Sequence, residues 1–166
     1  MIRDATVEDA GAVHAIYAHH VLHGTASYDI EPPSIEQIRK KMLWILSEGW
    51  PFLVAEADGA VMGYAYATQF RDRAAYRFTC ENSIYVHPQW MGRGVGKALL
   101  GMLVEQSAAY GFKTMIAVIG GAEPASIALH EARGFAEVGR LKSVGWKKER
   151  WLDSVYMQLN FVPKGD

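Results

Sequence analysis

Apolar residues recur along the chain at two spacings, and the spacing predicts where helices and strands lie. Over residues 7–22, and again from Ser34 to Gly49, they repeat every three to four positions, as on one face of a helix. Ser34 and Gln37 form a capping box that predicts the start of the second helix. The segment between the two helices, "HGTASYDIEPP", is predicted as a loop.

Alternating and continuous apolar runs predict the strands. "PFLVAEADGAVMGYAYATQF" is typical of two strands joined at Asp58-Gly59, a dipeptide that accepts the positive φ angles of a tight turn. The remaining predicted elements are strands over residues 78–86, 113–120, 135–141 and 154–161, a helix from the glycine-rich segment to Gly111, and a short helix over residues 126–133 closed by Gly134. This order predicts one domain of the α+β (mixed α/β) class, with a central, mostly antiparallel, twisted sheet and helices on both faces.

Composition and charge limit the location and the partners that we expect for this domain. The chain has 166 residues, the size of one ordinary domain, and no apolar run long enough to cross a bilayer. One cysteine and an acidic N-terminal segment favour a cytoplasmic location without export. A formal net charge of −1 gives no general attraction for nucleic acid, so an anionic ligand has to be held by local groups. We therefore expect neither a membrane nor a nucleic-acid partner.

The segment "HPQWMGRGVGKALL" places three alternating glycines between a strand and a helix. Free amides and the positive end of the helix dipole make such a turn an anion site. It does not match the Walker phosphate loop, because Met91 stands where glycine is needed and Ala98 where that motif has Ser or Thr. It does not match the dinucleotide fingerprint either, because Lys97 replaces the third glycine.

The pattern R/Q-x-x-G-x-G/A does fit, as "MGRGVG" from Met91, although Met91 departs from its first position. In this respect the chain resembles the GNAT N-acetyltransferases. The blocks "FRDRAAYRFTCENSIYVHP", "SIALHEARGF" and "GWKKERWLDSVYMQLNF" resemble the phosphinothricin and methionine sulfoximine/sulfone acetyltransferases within that family, and the resemblance covers nearly the whole chain. It implies the GNAT fold, acetyl-CoA as donor, no metal, a small amino-acid substrate and a homodimer.

Acetyl transfer to an amine needs a base for the ammonium group and an acid for the departing thiolate. Strand alternation places Glu81, Ser83 and Tyr85 on one face, and Glu81 matches the glutamate that the family uses as base. The alternative for Glu81 is an exposed glutamate of an edge strand. His130 stands where most of the family has a tyrosine acid, so we expect either that role or a packed residue that shapes the cofactor pocket.

The resemblance also implies which residues hold acetyl-CoA. The backbone of Ile84, Tyr85 and Val86 is expected to pair with the pantetheine arm, and the loop Met91, Gly92, Arg93, Gly94, Val95, Gly96 and Lys97 to bind the pyrophosphate. Glu123 stands where the family often has a CoA-binding asparagine. Because a carboxylate cannot donate a hydrogen bond, either this loop holds CoA differently or Ser126 compensates.

For the acceptor, the resemblance points to the basic segment before the strand that carries Glu81. Arg71, Arg73 and Tyr76 match substrate-binding positions of the subgroup, and a guanidinium suits an α-carboxylate. We expect aromatic side chains to wall the pocket, namely Tyr28, Phe78 and Trp146, the last in a loop over "SVGWKKERW". The alternatives are a solvated charged loop and ordinary core packing.

Two other constellations suggest chemistry less strongly. His19 and His23 have the i, i+4 spacing of a metal pair, but no carboxylate partner accompanies them, so we expect a polar helix face. Cys80 precedes Glu81 in the strand, so its side chain is expected on the opposite face, as a packed thiol. The sequence thus predicts direct acetylation of the α-amine of an amino-acid analogue. Acetylation of another amine, such as an aminoglycoside or a protein N-terminus, and a non-catalytic CoA-binding module are the alternatives.

Overall fold

Seven strands form one sheet in the computed structural model, which describes residues 1–161. The strands are β1 (Ile2–Asp4), β2 (Phe52–Ala57), β3 (Ala60–Gln69), β4 (Thr79–Val86), β5 (Thr114–Gly120), β6 (Ala136–Lys147) and β7 (Arg150–Asn160). Their order across the sheet is β1-β2-β3-β4-β5-β7-β6, and every neighbouring pair is antiparallel except β4 with β5. The four α-helices are α1 (Ala10–His23), α2 (Ile35–Ser47), α3 (Val95–Tyr110) and α4 (Pro124–Ala132).

Helices cover both faces of the sheet, and strand β4 shows which face each one covers. Tyr85 packs edge-on against Tyr17 of α1, with ring centroids 5.2 Å apart. On the opposite face, the buried Cys80 thiol lies near Ser107 of α3, and Asn82 lies against His130 of α4. Since residues of a strand alternate between faces, α1 lies on one side and α3 and α4 on the other. The predicted α+β class, with a mostly antiparallel sheet between helices, is confirmed.

The hairpin of β6 and β7 corrects two predictions. "SVGWKKERW" is not a loop: it forms the ends of two long paired strands, and Trp146 lies within β6 opposite Trp151. The turn consists of Lys148 and Glu149, both with positive φ (52° and 58°). Because a tight turn of this kind normally contains glycine or asparagine, nothing in the local sequence marked it.

Smaller differences concern the ends of elements. Strand β1 was not predicted, because three residues are too few to display an alternation. The first helix begins with a 3₁₀ turn over Val7–Asp9, and α4 begins at Pro124 with proline in its first turn. Among residues 1–161 we find no helix that is both long enough and apolar enough to cross a membrane.

An ion-pair network ties the N-terminal segment to the sheet and gives a stability prediction. The Arg3 guanidinium holds the Asp9 carboxylate through two hydrogen bonds of 2.8 and 2.9 Å, and Asp9 also accepts the Thr6 amide. These bonds hold the pKa of Asp9 below its usual range. We expect Asp9→Asn to lower the free energy of unfolding by about 1–3 kcal/mol at pH 7.

This effect has a defined pH dependence. A depressed carboxyl pKa stabilises the fold above the pKa of the unfolded chain, about 4, and that contribution is lost as pH falls through the folded-state pKa. Urea denaturation at pH 7 and pH 3 should therefore show a smaller difference between wild type and variant at pH 3. Glu36→Gln, which removes an exposed pair with Arg39, should change stability by less than about 0.5 kcal/mol. An Asp9→Asn effect that is equal at both pH values would contradict the assignment.

Candidate active site

The cleft of the molecule arises where two neighbouring strands separate. Strands β4 and β5 pair at three positions only, from Thr79 opposite Thr114 to Glu81 opposite Ile116. Beyond Glu81, β4 stays paired with β3 as far as Val86, while β5 continues with β7 as far as Gly120. The cleft between them has a volume of about 930 Å³. An internal edge of this kind leaves backbone groups of β4 facing the cleft rather than another strand.

The glycine-rich loop closes one end of this cleft. Gly92 and Gly94 have φ angles of 73° and 82°, and Gly94 precedes the first residue of α3. A Cβ atom at either glycine would meet no atom within 4 Å, so glycine is needed here for its backbone conformation rather than for space. Val95, Gly96 and Lys97, in the first turn of the 16-residue helix α3, line the cleft, and the amides of a first turn have no partner within the helix. This arrangement fits a diphosphate.

The other residues predicted to hold CoA divide into two groups. Those that line the cleft are Ile84, Tyr85, Val86, Met91, Gly92, Gly94, Val95, Gly96, Lys97, Glu123 and Ser126. Arg93 is not among them: its guanidinium lies over the ring of Trp90, 5.1 Å from the centroid. The Val86 carbonyl, expected to pair with pantetheine, accepts a hydrogen bond from His20 at 2.7 Å.

Glu81 occupies the position where the two strands part. Its side chain is 33% exposed, and Arg71 Nη1 lies 4.0 Å from its Oε1. Burial raises the pKa of Glu81, and the charges of Arg71 and Lys41 offset that shift in part. A carboxylate with a raised pKa at the mouth of a cleft is suited to accept a proton near neutral pH.

Cys80, next to Glu81 in sequence, points into the opposite layer of the structure. It is fully buried, and burial raises the pKa of its thiol to about 12. Because the thiolate is the nucleophilic form, this cysteine is inert near neutral pH. That finding agrees with the expectation of a packed thiol.

His130 lies at the wall of the cleft on α4. Its ring is 3% exposed and packs edge-on against Phe135. Nδ1 lies 2.7 Å from the Ser126 carbonyl, and Nε2 lies 3.3 Å from Oδ1 of Asn82. Burial lowers the pKa of His130, which favours the neutral ring.

The predicted acceptor-binding residues are only partly brought together. Arg71 lies beside Glu81 but does not itself line the cleft, whereas Tyr28 does. The Tyr28 hydroxyl bonds to the Asp153 carbonyl and the Ser154 hydroxyl, both at 2.9 Å, and so fixes the loop after α1 to β7. Arg73, Tyr76, Phe78 and Trp146 do not line the cleft: Tyr76 packs on Phe70, Phe78 lies under Arg77, and Trp146 packs on Trp151.

Four further residues near the cleft were not anticipated. They are Tyr17, Asp29, Lys41 and Asn82. Tyr17 donates a hydrogen bond to Asp29 at 2.5 Å, the charge of Lys41 lowers the pKa of Glu81, and Asn82 contacts His130. Tyr17 and Lys41 lie on helices whose apolar stripes were visible in the sequence, but which loop or strand they face depends on tertiary packing. Asn82 had a visible signal, because an amide inside an otherwise apolar strand face requires a partner.

The predicted polar face of α1 also lies at the cleft. His19, His20 and His23 line it, and the rings of His19 and His23 are 4.8 Å apart. Among residues 1–161, no group of three or more histidine, cysteine, aspartate or glutamate side chains is arranged to hold a metal ion.

Comparison with known proteins places the chain in a family. Residues 2–156 match the model of the acetyltransferase (GNAT) domain. The phosphinothricin N-acetyltransferase of Alcaligenes faecalis is 46% identical over 159 residues, which are 95% of this chain and 79% of that protein. The L-methionine sulfoximine/L-methionine sulfone acetyltransferase of Salmonella typhimurium is 37% identical over 161 residues, 95% of this chain and 92% of that protein.

A solved structure agrees with these relatives. The crystal structure of a GNAT superfamily phosphinothricin acetyltransferase from Sinorhizobium meliloti in complex with AcCoA superposes with a TM-score of 0.95 at 48% sequence identity. The match covers 96% of this chain and 87% of that one. The chain therefore belongs to the GNAT family and is an N-acetyltransferase.

Proposed function

We propose that this protein transfers the acetyl group of acetyl-CoA to the α-amino group of a small amino acid of the phosphinothricin or methionine sulfoximine/sulfone type. The observation that carries this proposal is the position of Glu81, a carboxylate of raised pKa at the point where β4 and β5 part, with Arg71 4.0 Å away. A base and a cation this close match a substrate that carries an ammonium and a carboxylate on one carbon atom. The names of the relatives support the same substrate class.

Acetyl-CoA, when bound, supplies a thioester carbonyl as the electrophile. The amides of Gly92 and of residues 94–97 hold its diphosphate, and the free edge of β4 pairs with its pantetheine arm. Arg71 binds the carboxylate of the amino acid and directs its nitrogen toward the thioester. Glu81 accepts a proton from the ammonium, which frees the nitrogen lone pair to form the new N–C bond. As the C–S bond breaks, the nitrogen loses its second proton to water and becomes a neutral amide. His130 lines the cleft, and its imidazolium form donates the Nε2 proton to the departing sulfur.

The test is an assay of thiol release from acetyl-CoA. The acceptors are L-methionine sulfone, L-methionine sulfoximine and phosphinothricin, with an aminoglycoside and a peptide amine in parallel. We expect turnover with at least one amino-acid analogue, and mass spectrometry should locate the acetyl group on its α-nitrogen. Turnover confined to the aminoglycoside or the peptide would support acetylation of another amine. CoA binding without turnover of any acceptor would support a binding module.

We also propose that the protein is a cytoplasmic homodimer that pairs through the β6–β7 hairpin. Strand β6 is a sheet edge of 12 residues, and apolar side chains are exposed along the hairpin, namely Val138, Leu141, Val144, Trp146 and Trp151. A long apolar edge favours association, and a second copy of the same strand satisfies it symmetrically. Sedimentation should give a dimer at micromolar concentration and a monomer for Trp146→Glu. A monomeric wild type would contradict this interface.

A further inference from the structure

Asn82 and His130 form a contact that the proposed mechanism does not yet use. Asn82 follows Glu81 on β4, but its side chain points to the opposite face, toward α4. It is 8% exposed, and its Oδ1 lies 3.3 Å from Nε2 of His130. Both residues line the cleft. A buried amide held against a buried imidazole at the cofactor cleft is a placement that packing alone does not require.

The hydrogen bonds of His130 fix where its protons are. The Ser126 carbonyl can only accept, so Nδ1 carries a hydrogen. When Nε2 faces the Asn82 oxygen, Nε2 must carry a hydrogen as well, and the ring is an imidazolium. When the ring is neutral, Nε2 has a bare lone pair and requires a donor. The Asn82 amide supplies either partner, because rotation by 180° exchanges its oxygen for its NH₂ group without changing its shape.

The second amide atom of Asn82 supports this rotation. With Oδ1 turned toward His130, Nδ2 is buried and has no hydrogen-bond partner among residues 1–161. A buried N–H without an acceptor costs more than a buried carbonyl without a donor. Rotation therefore relieves Nδ2 when His130 is neutral, and burial favours the neutral ring. Neither orientation satisfies the amide completely, which is the property expected of a group that serves two states.

No charged side chain competes for this role within the described part of the chain. The hydrogen bonds of the His130 ring there are those to Ser126 and Asn82, and the ring takes part in no ion pair. On β4, the Cys80 thiol shares the Asn82 face and stays protonated, since burial raises its pKa to about 12. After α4, the group that packs on His130 is the apolar ring of Phe135. The charge state of His130 is thus governed by burial and by its two hydrogen-bond partners.

We propose that Asn82 is a positioning residue that serves both protonation states of His130, accepting from Nε2–H before proton transfer and donating to bare Nε2 afterwards. The inference rests on the proposed function, in which His130 protonates the departing thiolate. In that step the C–S electron pair goes to sulfur, the Nε2–H bond breaks and an S–H bond forms. The lone pair left on Nε2 then accepts a hydrogen bond from the Asn82 NH₂ group. Water returns the proton to His130 before the next turnover.

The first test measures His130 directly, without an acceptor substrate. In ¹⁵N-histidine-labelled protein, NMR titration gives the midpoint and the tautomer of each ring. We expect His130 of the wild type to be the Nδ1–H tautomer when neutral. Asn82→Asp offers only acceptors and a charge, so it should move the His130 midpoint to higher pH by about one pH unit or more. Asn160→Asp, the same change near the end of β7, should leave the midpoint in place.

The second test measures turnover. Asn82→Asp should move the alkaline limb of the kcat profile in the same direction as the His130 midpoint. Asn82→Leu should lower kcat about 10-fold or more while acetyl-CoA affinity changes by less than about threefold, because it removes both orientations. In a His130→Gln background the Asn82→Asp change should alter kcat by less than about twofold. Circular dichroism establishes that each variant is folded, and Asn82→Asp still decides the question if Asn82→Leu does not fold.

The outcomes separate this inference from the function on which it rests. An unmoved His130 midpoint in Asn82→Asp, or an undiminished effect of that change in the His130→Gln background, would overturn the role of Asn82 even if acetyl transfer is normal. An Nε2–H tautomer in the neutral wild type would also overturn it. A shifted midpoint in a protein that acetylates none of the acceptors would instead overturn the proposed function and show that the two residues are coupled.

Discussion

Replacing Glu81 by glutamine is expected to lower kcat about 10²- to 10⁴-fold while acetyl-CoA affinity stays within about twofold. Glutamine keeps the size of the side chain but cannot take the ammonium proton. Glu81 lies where β4 and β5 part, and the glycine-rich loop follows the other end of β4, so cofactor binding should not depend on Glu81. Steady-state kinetics together with calorimetric titration of CoA measure the two effects separately.

The pH profile of the wild type gives an independent check on Glu81. The base works only when ionised, so kcat/KM should fall as pH drops through the pKa of Glu81. Since burial raises that pKa, the fall should begin at higher pH than it would for an ordinary glutamate. Glu36→Gln, an exposed position of α2, serves as the matched control and should keep full activity. Full activity in Glu81→Gln would remove the proposed base.

Arg71→Gln is expected to raise KM for the amino-acid acceptor about 10- to 150-fold, the usual cost of hydrogen bonds to a charged group. The side chain is anchored for this role, because its guanidinium stacks on the Phe70 ring at 4.0 Å and donates to the Phe70 carbonyl. The same variant should move the acid limb of the pH profile to higher pH. The reason is that the Arg71 charge holds the pKa of Glu81 down, and the variant removes that charge.

Arg77→Gln is the matched control for this experiment. Arg77 belongs to the same segment, but it donates to the Ala74 carbonyl, lies over Phe78 and, among residues 1–161, forms no ion pair with Glu81. We expect its KM to stay within about twofold of the wild type. Equal effects of the two substitutions would indicate a general electrostatic attraction for the acceptor. An unchanged KM in Arg71→Gln would remove Arg71 from the binding site.

The glycine-rich turn at the cleft was largely predictable because it rests on local sequence. Gly92 and Gly94 have positive φ angles, which few residues other than glycine adopt easily. The glycines in the sequence therefore predict the turn. The alternation along β4 likewise separated Glu81 from Cys80, and the structure confirms their opposite environments. The family resemblance, carried by blocks along nearly the whole chain, is confirmed by the comparisons.

The acceptor side was harder to predict because it is assembled from distant segments. Trp146 was expected beside the pocket on the assumption of a loop, but the turn at Lys148 and Glu149 extends the hairpin and places Trp146 on an exposed strand. The partners of Asn82 and Tyr17 lie 48 and 12 residues away in sequence, and no periodicity encodes such pairings. Packing decides which side chains of different elements touch. A sequence pattern shows which face of an element is buried, but not which residues that face contacts.

The short pairing of β4 with β5 also bears on how long the enzyme survives in a cell. Three residue pairs between β4 and β5 join the strands β1 to β4 to the strands β5 to β7. Acetyl-CoA bound along the free edge of β4 would therefore add contacts between these two parts of the sheet. A ligand that binds only the folded state adds about 2.7 kcal/mol of stability at 100 times its Kd. We therefore expect limited proteolysis to cleave the protein sooner without acetyl-CoA than with it. The steady-state amount of the enzyme would then follow the supply of its own acetyl donor.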